Sequence, residues 1–408
     1  MTRNRRQAGF TLVELMVALV AGAIAIMTIY FVGAASSRHF QEQQRIAQTQ
    51  MSLRMAMEQV RRDIQRAGFL GTPNSRVENR CRSPVRELQA VEFLNDDATG
   101  ALPNAGENGV TADTLRLVGN YATADSYLAI GLDAGGGAVL LQPTWHGFRR
   151  DFTDDDGTVD ADRFDAVFRP GRMLHIQTLQ GQHFFVDITG TSPPEGRVSF
   201  SPNLPIGGDC PGGLADGAIV APLSRIEYRV VDLTAGDEGS ALLPASGNRV
   251  TAGDSYRGEA ASQLVRREID WDGNVLTDDA GGRFERIVLE HVAMVDYQFM
   301  VDDAAGAGVP PNLILERDAV AQNRLANVTD NAGAEPQDVR SILVSLSART
   351  PEQDPRFPWV EGAEGNPALG IAPTRYKVRP GADFDGAARV RTMRTEVFVP
   401  NVANRGLR

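Results

Sequence analysis

The chain of 408 residues opens on a run that only a membrane or an apolar assembly can accommodate. From Leu15 to Ala35 no residue carries a charge, and as a helix this stretch spans a hydrocarbon core of about 30 Å. Arg3, Arg5 and Arg6 precede it with no acid among them. Cations on that side predict an N-terminus held in the cytoplasm and a body beyond the membrane. An ordinary secretory signal peptide has a shorter apolar region and a small-residue cleavage site before a globular start; here the run continues directly into helix-forming residues. A plain signal anchor is the other reading, but it gives no reason for Glu14. A lone carboxylate in a bilayer costs several kcal/mol and marks function, and no cation lies nearby in this chain. If the chain were cut between Gly9 and Phe10, the new α-amino group of a neighbouring subunit would supply the charge, in an assembly offset by one subunit along its axis.

No proline occurs before Pro73, so a helix from Phe10 to Ala67 meets no forced break. Its 58 residues would extend roughly 87 Å, with Gly22 and Gly33 as soft points. Beyond the membrane the helix turns amphipathic. Ile46, Leu53, Met57, Val60, Ile64 and Ala67 form one apolar stripe, which predicts packing on the chain's own sheet. Too few clean heptads follow to favour a coiled coil. Arg54, Glu58, Arg61, Arg62, Asp63 and Arg66 read as a solvated face, with contacts to other subunits as the alternative. Gly68, just past the stripe, suits a left-handed helix end.

The remaining chain alternates apolar and polar residues between turns. Expected strands are Thr114–Val118, Arg172–Thr178, His183–Thr189, Arg197–Ser201, Ser224–Val231, Val295–Val301, Ile342–Ala348 and Glu396–Val399. In Ser224–Val231, Glu227 and Arg229 read as the solvent side of a half-buried strand. Residues 99–111, 232–260 and 303–338 read as loops or insertions. The fold class is therefore α+β, a long helix on an antiparallel sheet. Four segments are expected: a basic leader (1–9), a membrane helix (10–35), an amphipathic helix and exit (36–71), and a β-rich body of one or two lobes (72–408). A net charge of −11 argues against nucleic acid as a partner.

Gly9-Phe10-Thr11-Leu12-Val13-Glu14, after a basic leader and before an apolar helix, closely resembles the class III leader of type IV prepilins and pseudopilins. The resemblance implies a type IV pilin-like fold, cleavage after Gly9 by a prepilin peptidase, N-methylation of Phe10, and a role for Glu14 in docking into a filament. The helix exit, from Arg61 to Gly71, resembles PilW-type minor pilins. So do Asp113-Thr114-Leu115, Leu223–Val231, Ile287–Asp302, Val339–Thr350 and the tail from Arg394 to Arg405. This likeness implies a minor pilin that initiates type IV pilus assembly at or near the tip. Its implied partners are the major pilin, other minor pilins and a candidate tip adhesin. The implied location is the inner membrane with a periplasmic body, then the fibre. A J-type minor pseudopilin of type II secretion is the alternative within the class; a membrane-anchored periplasmic enzyme or binding module is the alternative outside it.

Cys81 and Cys210 fall on the expected periplasmic side, where disulfides persist. A bridge would close a loop of about 129 residues and contribute on the order of 4–5 kcal/mol; two free thiols are the other reading. The acid-rich stretch from Asp151 to Asp165 reads as a solvated loop or a calcium loop, although the EF-hand template fails at Phe152 and Arg163. Glu268, Asp270, Asp272 and Asp279 fit that template better, but a hairpin turning at Asp272-Gly273-Asn274 accounts for them more simply. His175 and His183 are expected on neighbouring strands. No cofactor is called for, and no catalytic motif stands out.

Overall fold

The computed structural model describes residues 11–76, 78, 88–133, 135–204, 217–232, 262–278, 281–302, 312–316, 336–351, 353–378 and 386–403. These fall into two compact units divided between Met51 and Ser52. One helix, α1 (Leu12–Arg66), supplies the described part of the first unit and the opening of the second. It is the single helix long and apolar enough to cross a membrane among the described residues, and its most apolar window has a mean hydropathy of 2.5 with nothing buried.

The second unit is antiparallel β structure. After α1 come β1 (Val91–Leu94), α2 (Ala105–Asn108), β2 (Thr114–Gly119), β3 (Tyr127–Leu132), β4 (Ala138–Leu141), α3 (His146–Phe152) and α4 (Ala161–Val167). Next follow β5 (Met173–Thr178), β6 (His183–Ser192), β7 (Arg197–Ser201), β8 (Ala218–Asp232), β9 (Ser262–Ile269), β10 (Glu285–Glu290) and β11 (Val292–Asp302). The chain ends with β12 (Leu313–Glu316), β13 (Val339–Arg349), β14 (Asp354–Pro358), β15 (Arg375–Tyr376), β16 (Gly386–Phe398) and α5 (Pro400–Ala403). The architecture is α+β, a long N-terminal helix followed by an antiparallel body.

Three β assemblies can be traced from the pairings. In the first, β1, β2, the second half of β8, β9 and β10 lie side by side. In the second, β12, β11, β13, β16 and β14 form a sheet, with β15 also on β16. The third arises because the first half of β8 pairs with both β3 and β5. The remaining links run β3–β4, β4–β7, β7–β6 and β6–β5. These close a six-stranded antiparallel barrel, which leaves no free edge within the ring.

Two large apolar cores result. Leu53, Met57, Val60, Ile64 and Ala67 of the stripe are buried with Leu115, Ile226, Tyr228, Tyr297, Phe299 and Val344. Ile46, in the first unit, is half-buried. The barrel interior holds Tyr127, Val139, Leu174, Ile176, Val186 and Val220, closed by Phe148, Phe152, Phe164 and Phe168. Phe148 meets Phe152 edge-on with centroids 5.2 Å apart, an arrangement the ring quadrupoles favour. A smaller cluster of Leu88, Val118, Met173, Phe185 and Leu223 lies on the outside of the barrel.

Several expectations change. The stretch from Asp151 to Asp165 is not a plain loop: it joins α3 to α4, and its Phe152 and Phe164 are fully buried. Residues 99–111 contain α2, and the expected loop 303–338 contains β12, paired with β11. Glu227 is not solvated but buried, because Arg116 and Arg267 on the flanking strands bond to its two oxygens at 2.6 and 2.5 Å. Burial alone would raise its carboxyl, yet the two guanidiniums hold it below the ordinary value. β16 begins ten residues before the expected strand, because it pairs with β13 from Ser341↔Phe398 to Arg349↔Val390 and its first residues pair with β14 and β15.

Candidate functional site

The sequence places the functional weight on the start of α1 and its exit. Gly9 and Phe10 lie outside the described residues. Thr11 and Glu14 are described, and they form a reciprocal cap. The Thr11 N–H and hydroxyl both donate to Glu14 Oε2, at 3.0 and 2.9 Å, and the Glu14 N–H reaches the Thr11 hydroxyl at 3.3 Å. This is the capping box that Thr-x-x-Glu encodes at a helix start. The carboxylate also sits where the helix dipole favours negative charge. Sequence reasoning singled out Glu14 by its charge and missed Thr11, although the four-residue signature was present. Replacing Thr11 with Ala should cost the first turn about 1 kcal/mol. Amide exchange at Glu14, whose N–H the Thr11 hydroxyl accepts, should then rise about fivefold in detergent, with Thr11→Ser retaining protection; unchanged exchange would show that the cap contributes nothing.

The rest of the apolar helix is uninterrupted. Thr28 returns its hydroxyl to the Ile24 carbonyl at 2.9 Å, so no polar group opens the run. Every described residue of the run is solvent-facing within the chain save Ala34, which is half-buried. An environment outside the chain must cover such a surface.

At the other end, Asp63 corrects the reading of a solvated face. It is 6% exposed. The Tyr228 hydroxyl donates to its Oδ2 at 2.7 Å and Arg266 Nε does so at 2.5 Å, while the Tyr121 hydroxyl reaches the Asp63 carbonyl at 2.7 Å. Burial first, then the Asp63 charge, pushes both tyrosines well above their usual range, so they remain neutral donors. Burial opposes the charge on Arg266, but Asp63 outweighs it and holds the guanidinium pKa raised. Arg66 is tied down as well, donating to the carbonyls of Asn120 and Thr123 at 2.7 and 2.9 Å. Arg54, Glu58 and Arg62 are exposed, as read.

The helix ends where expected. Gly68 has φ +74° and donates its N–H to the Val118 carbonyl at 2.8 Å, a left-handed ending that glycine adopts without strain. Gly119 lets β2 approach closely: a Cβ there would stand 2.6 Å from the Arg66 carbonyl oxygen.

The remaining candidates divide. Cys81, Cys210 and Asp279 lie outside the described residues. Glu268 is held by Arg172 through two bonds of 2.6 and 2.9 Å. Asp270 accepts from the Asn274 N–H at 2.8 Å and from its side-chain amide at 3.0 Å, in a turn where Gly273 has φ +90°. The segment is a hairpin, and among the described residues no group of three or more His, Cys, Asp or Glu side chains could hold a metal ion.

Residues 4–30 match the family described as the prokaryotic N-terminal methylation motif. The motif supports a type IV pilin or pseudopilin. It spans Gly9, Phe10, Thr11 and Glu14 together, and it implies processing by a prepilin peptidase and assembly with other pilins. The motif and the apolar helix that follows it are compatible with membrane anchoring and with a pilus fibre. No curated protein and no solved structure matches the chain.

Proposed function

We propose that this chain is a minor pilin of the PilW type that helps to initiate a type IV pilus and sits at or near its tip. The observation that carries the reading is the methylation motif opening directly into an unbroken, solvent-facing apolar helix. Before assembly, lipid covers that surface; in the fibre, the helices of other subunits do. Glu14, already fixed by Thr11, turns its charge toward the methylated amino group of Phe10 on a neighbour. A carboxylate in hydrocarbon costs about 2.5–3.5 kcal/mol by insertion scales, so pairing it favours the assembled position over a free place in the bilayer. The body, with its barrel and two open sheets, offers lateral specificity. The role is structural, without a catalytic step; Cys81 and Cys210 are proposed to pair.

N-terminal mass analysis of the chain recovered from sheared fibres tests this. The expected species begins at methylated Phe10 and lacks the arginine-rich leader. The Glu14→Ala variant should insert in the membrane and be processed, yet be lost from fibres at least tenfold. Retention of Met1 in working protein overturns the reading. Normal fibres alongside a secretion defect would point instead to a J-type pseudopilin.

A further inference from the structure

The outside of the barrel carries a second polar device, independent of the assembly reading above. His175 on β5 and His183 on β6 are 4% and 6% exposed, and their rings stack nearly parallel at 9° with centroids 5.1 Å apart. His175 Nδ1 lies 2.7 Å from the Leu70 carbonyl, and its Nε2 lies 2.9 Å from His183 Nδ1. His183 Nε2 faces Glu78 Oε2 at 3.5 Å. Glu78 is itself held by the Thr72 hydroxyl through its other oxygen. Leu70, Thr72 and Glu78 all belong to the segment that leaves α1, so the two rings tie that exit to the β5–β6 hairpin.

Donor and acceptor chemistry fixes the protons. A carbonyl accepts only, so His175 Nδ1 carries hydrogen and, in a neutral ring, its Nε2 is bare. That bare nitrogen accepts from His183 Nδ1–H. A neutral His183 would then present a second bare nitrogen to the Glu78 carboxylate, two acceptors facing each other. We propose that His183 closes this chain as an imidazolium, so that the cluster retains one proton and acts as a pH-dependent clasp on the helix exit. A carboxylate neighbour supports the charge. The described neighbours from the packed strands do not oppose it: Ala221 of β8 is paired with His175, Phe185 stacks on it at 4.8 Å, and Asp187 lies two residues along β6.

The sign follows from the proton count. The folded state retains a proton that an ordinary imidazole loses near pH 6.5, so the clasp contributes fully below that pH, progressively less above it, and nothing once folded His183 itself gives up the proton. Strong acid also opens it, since a proton on His175 Nε2 would set two N–H groups against each other. A metal pair is not formed by Glu78 joining the two rings, because His183 points different nitrogens at His175 and at Glu78.

Imidazole 15N spectra of the full chain in detergent, with its five histidines labelled, test the clasp. At pH 7.5, His183 should show two protonated nitrogens and His175 the Nδ1–H tautomer. Glu78→Gln should lower the proton affinity of His183 about tenfold or more. The wild-type spectrum decides even if that variant folds poorly. A neutral His183 at pH 7.5, or an Nε2–H tautomer at His175, overturns the proposal. So does stoichiometric loss of both signals on adding Zn2+ alone, which would make the rings a metal pair.

Discussion

Replacing Asp63 with Ala should lower the unfolding free energy of the body by about 3–5 kcal/mol, the range for removing one partner of a buried ion pair. The change leaves the half-buried Arg266 guanidinium without a counter-charge and the buried Tyr228 hydroxyl without its acceptor. Asp63→Asn should fall between, since an amide oxygen still accepts from Tyr228 but carries no charge. Arg62→Ala, one residue away on the exposed face, should stay within about 0.5 kcal/mol. Urea unfolding of the full chain in detergent can be followed by the fluorescence of Trp145, Trp271 and Trp359. A double variant, Asp63→Ala with Arg266→Met, should recover most of the loss, because a buried pair replaced by apolar groups is often neutral or better. If Asp63→Ala unfolds at the wild-type urea concentration, Asp63 does not anchor the helix.

That experiment also locates where the sequence was readable. The stripe from Leu53 to Ala67 repeats at helical spacing, and its burial was legible because a helix laid on a sheet has no other way to hide those side chains. Asp63 was not legible by the same reasoning. It stands among Arg61, Arg62 and Arg66, and the charge and the hydroxyl that make its burial favourable, Arg266 and Tyr228, lie more than a hundred and sixty residues away. Glu227 repeats the lesson on a strand, where alternation suggests solvent but cross-strand arginines supply partners. The barrel was hidden for a topological reason. Its closure depends on β8 pairing with two strands at once, and two of its core phenylalanines, Phe152 and Phe164, sit in an acidic, turn-like stretch. At the N-terminus the opposite holds: the cost of charge in hydrocarbon makes Glu14 conspicuous, and local capping chemistry makes Thr11 readable from four letters.

Asp113 should give the body a stability that falls as pH rises through neutrality. It stands just before β2, where its backbone N–H donates to the Val295 carbonyl at 3.1 Å and links the sheets. Its carboxyl accepts the Asp96 N–H and the Tyr297 N–H, each at 3.0 Å. Those two donors favour the charged form, but burial outweighs them, and the nearby Asp296 and Asp96 charges add to it, so the pKa rises to about 8. Between the ordinary value of 3.8 and about 8 the folded state therefore holds a proton that the unfolded chain has lost. Stability from this group is complete below pH 3.8, declines by about 1.4 kcal/mol per pH unit, and is gone above about 8. Glu227 and Glu268 work in the other direction, because their lowered values remove stability only on acidification below about 4.5. The windows barely overlap, and the His175–His183 clasp, which also responds in the neutral range, is common to both proteins, so the difference between wild type and an Asp113 variant isolates Asp113. Asp113→Asn keeps one acceptor and cannot ionise. Relative to wild type it should gain roughly 3 kcal/mol in going from pH 5 to pH 7.5, becoming the more stable protein at the upper end. Urea midpoints of the two proteins at both pH values measure the difference directly. Parallel shifts would mean that the Asp113 carboxyl titrates as an ordinary one, and that the two N–H donors outweigh its burial.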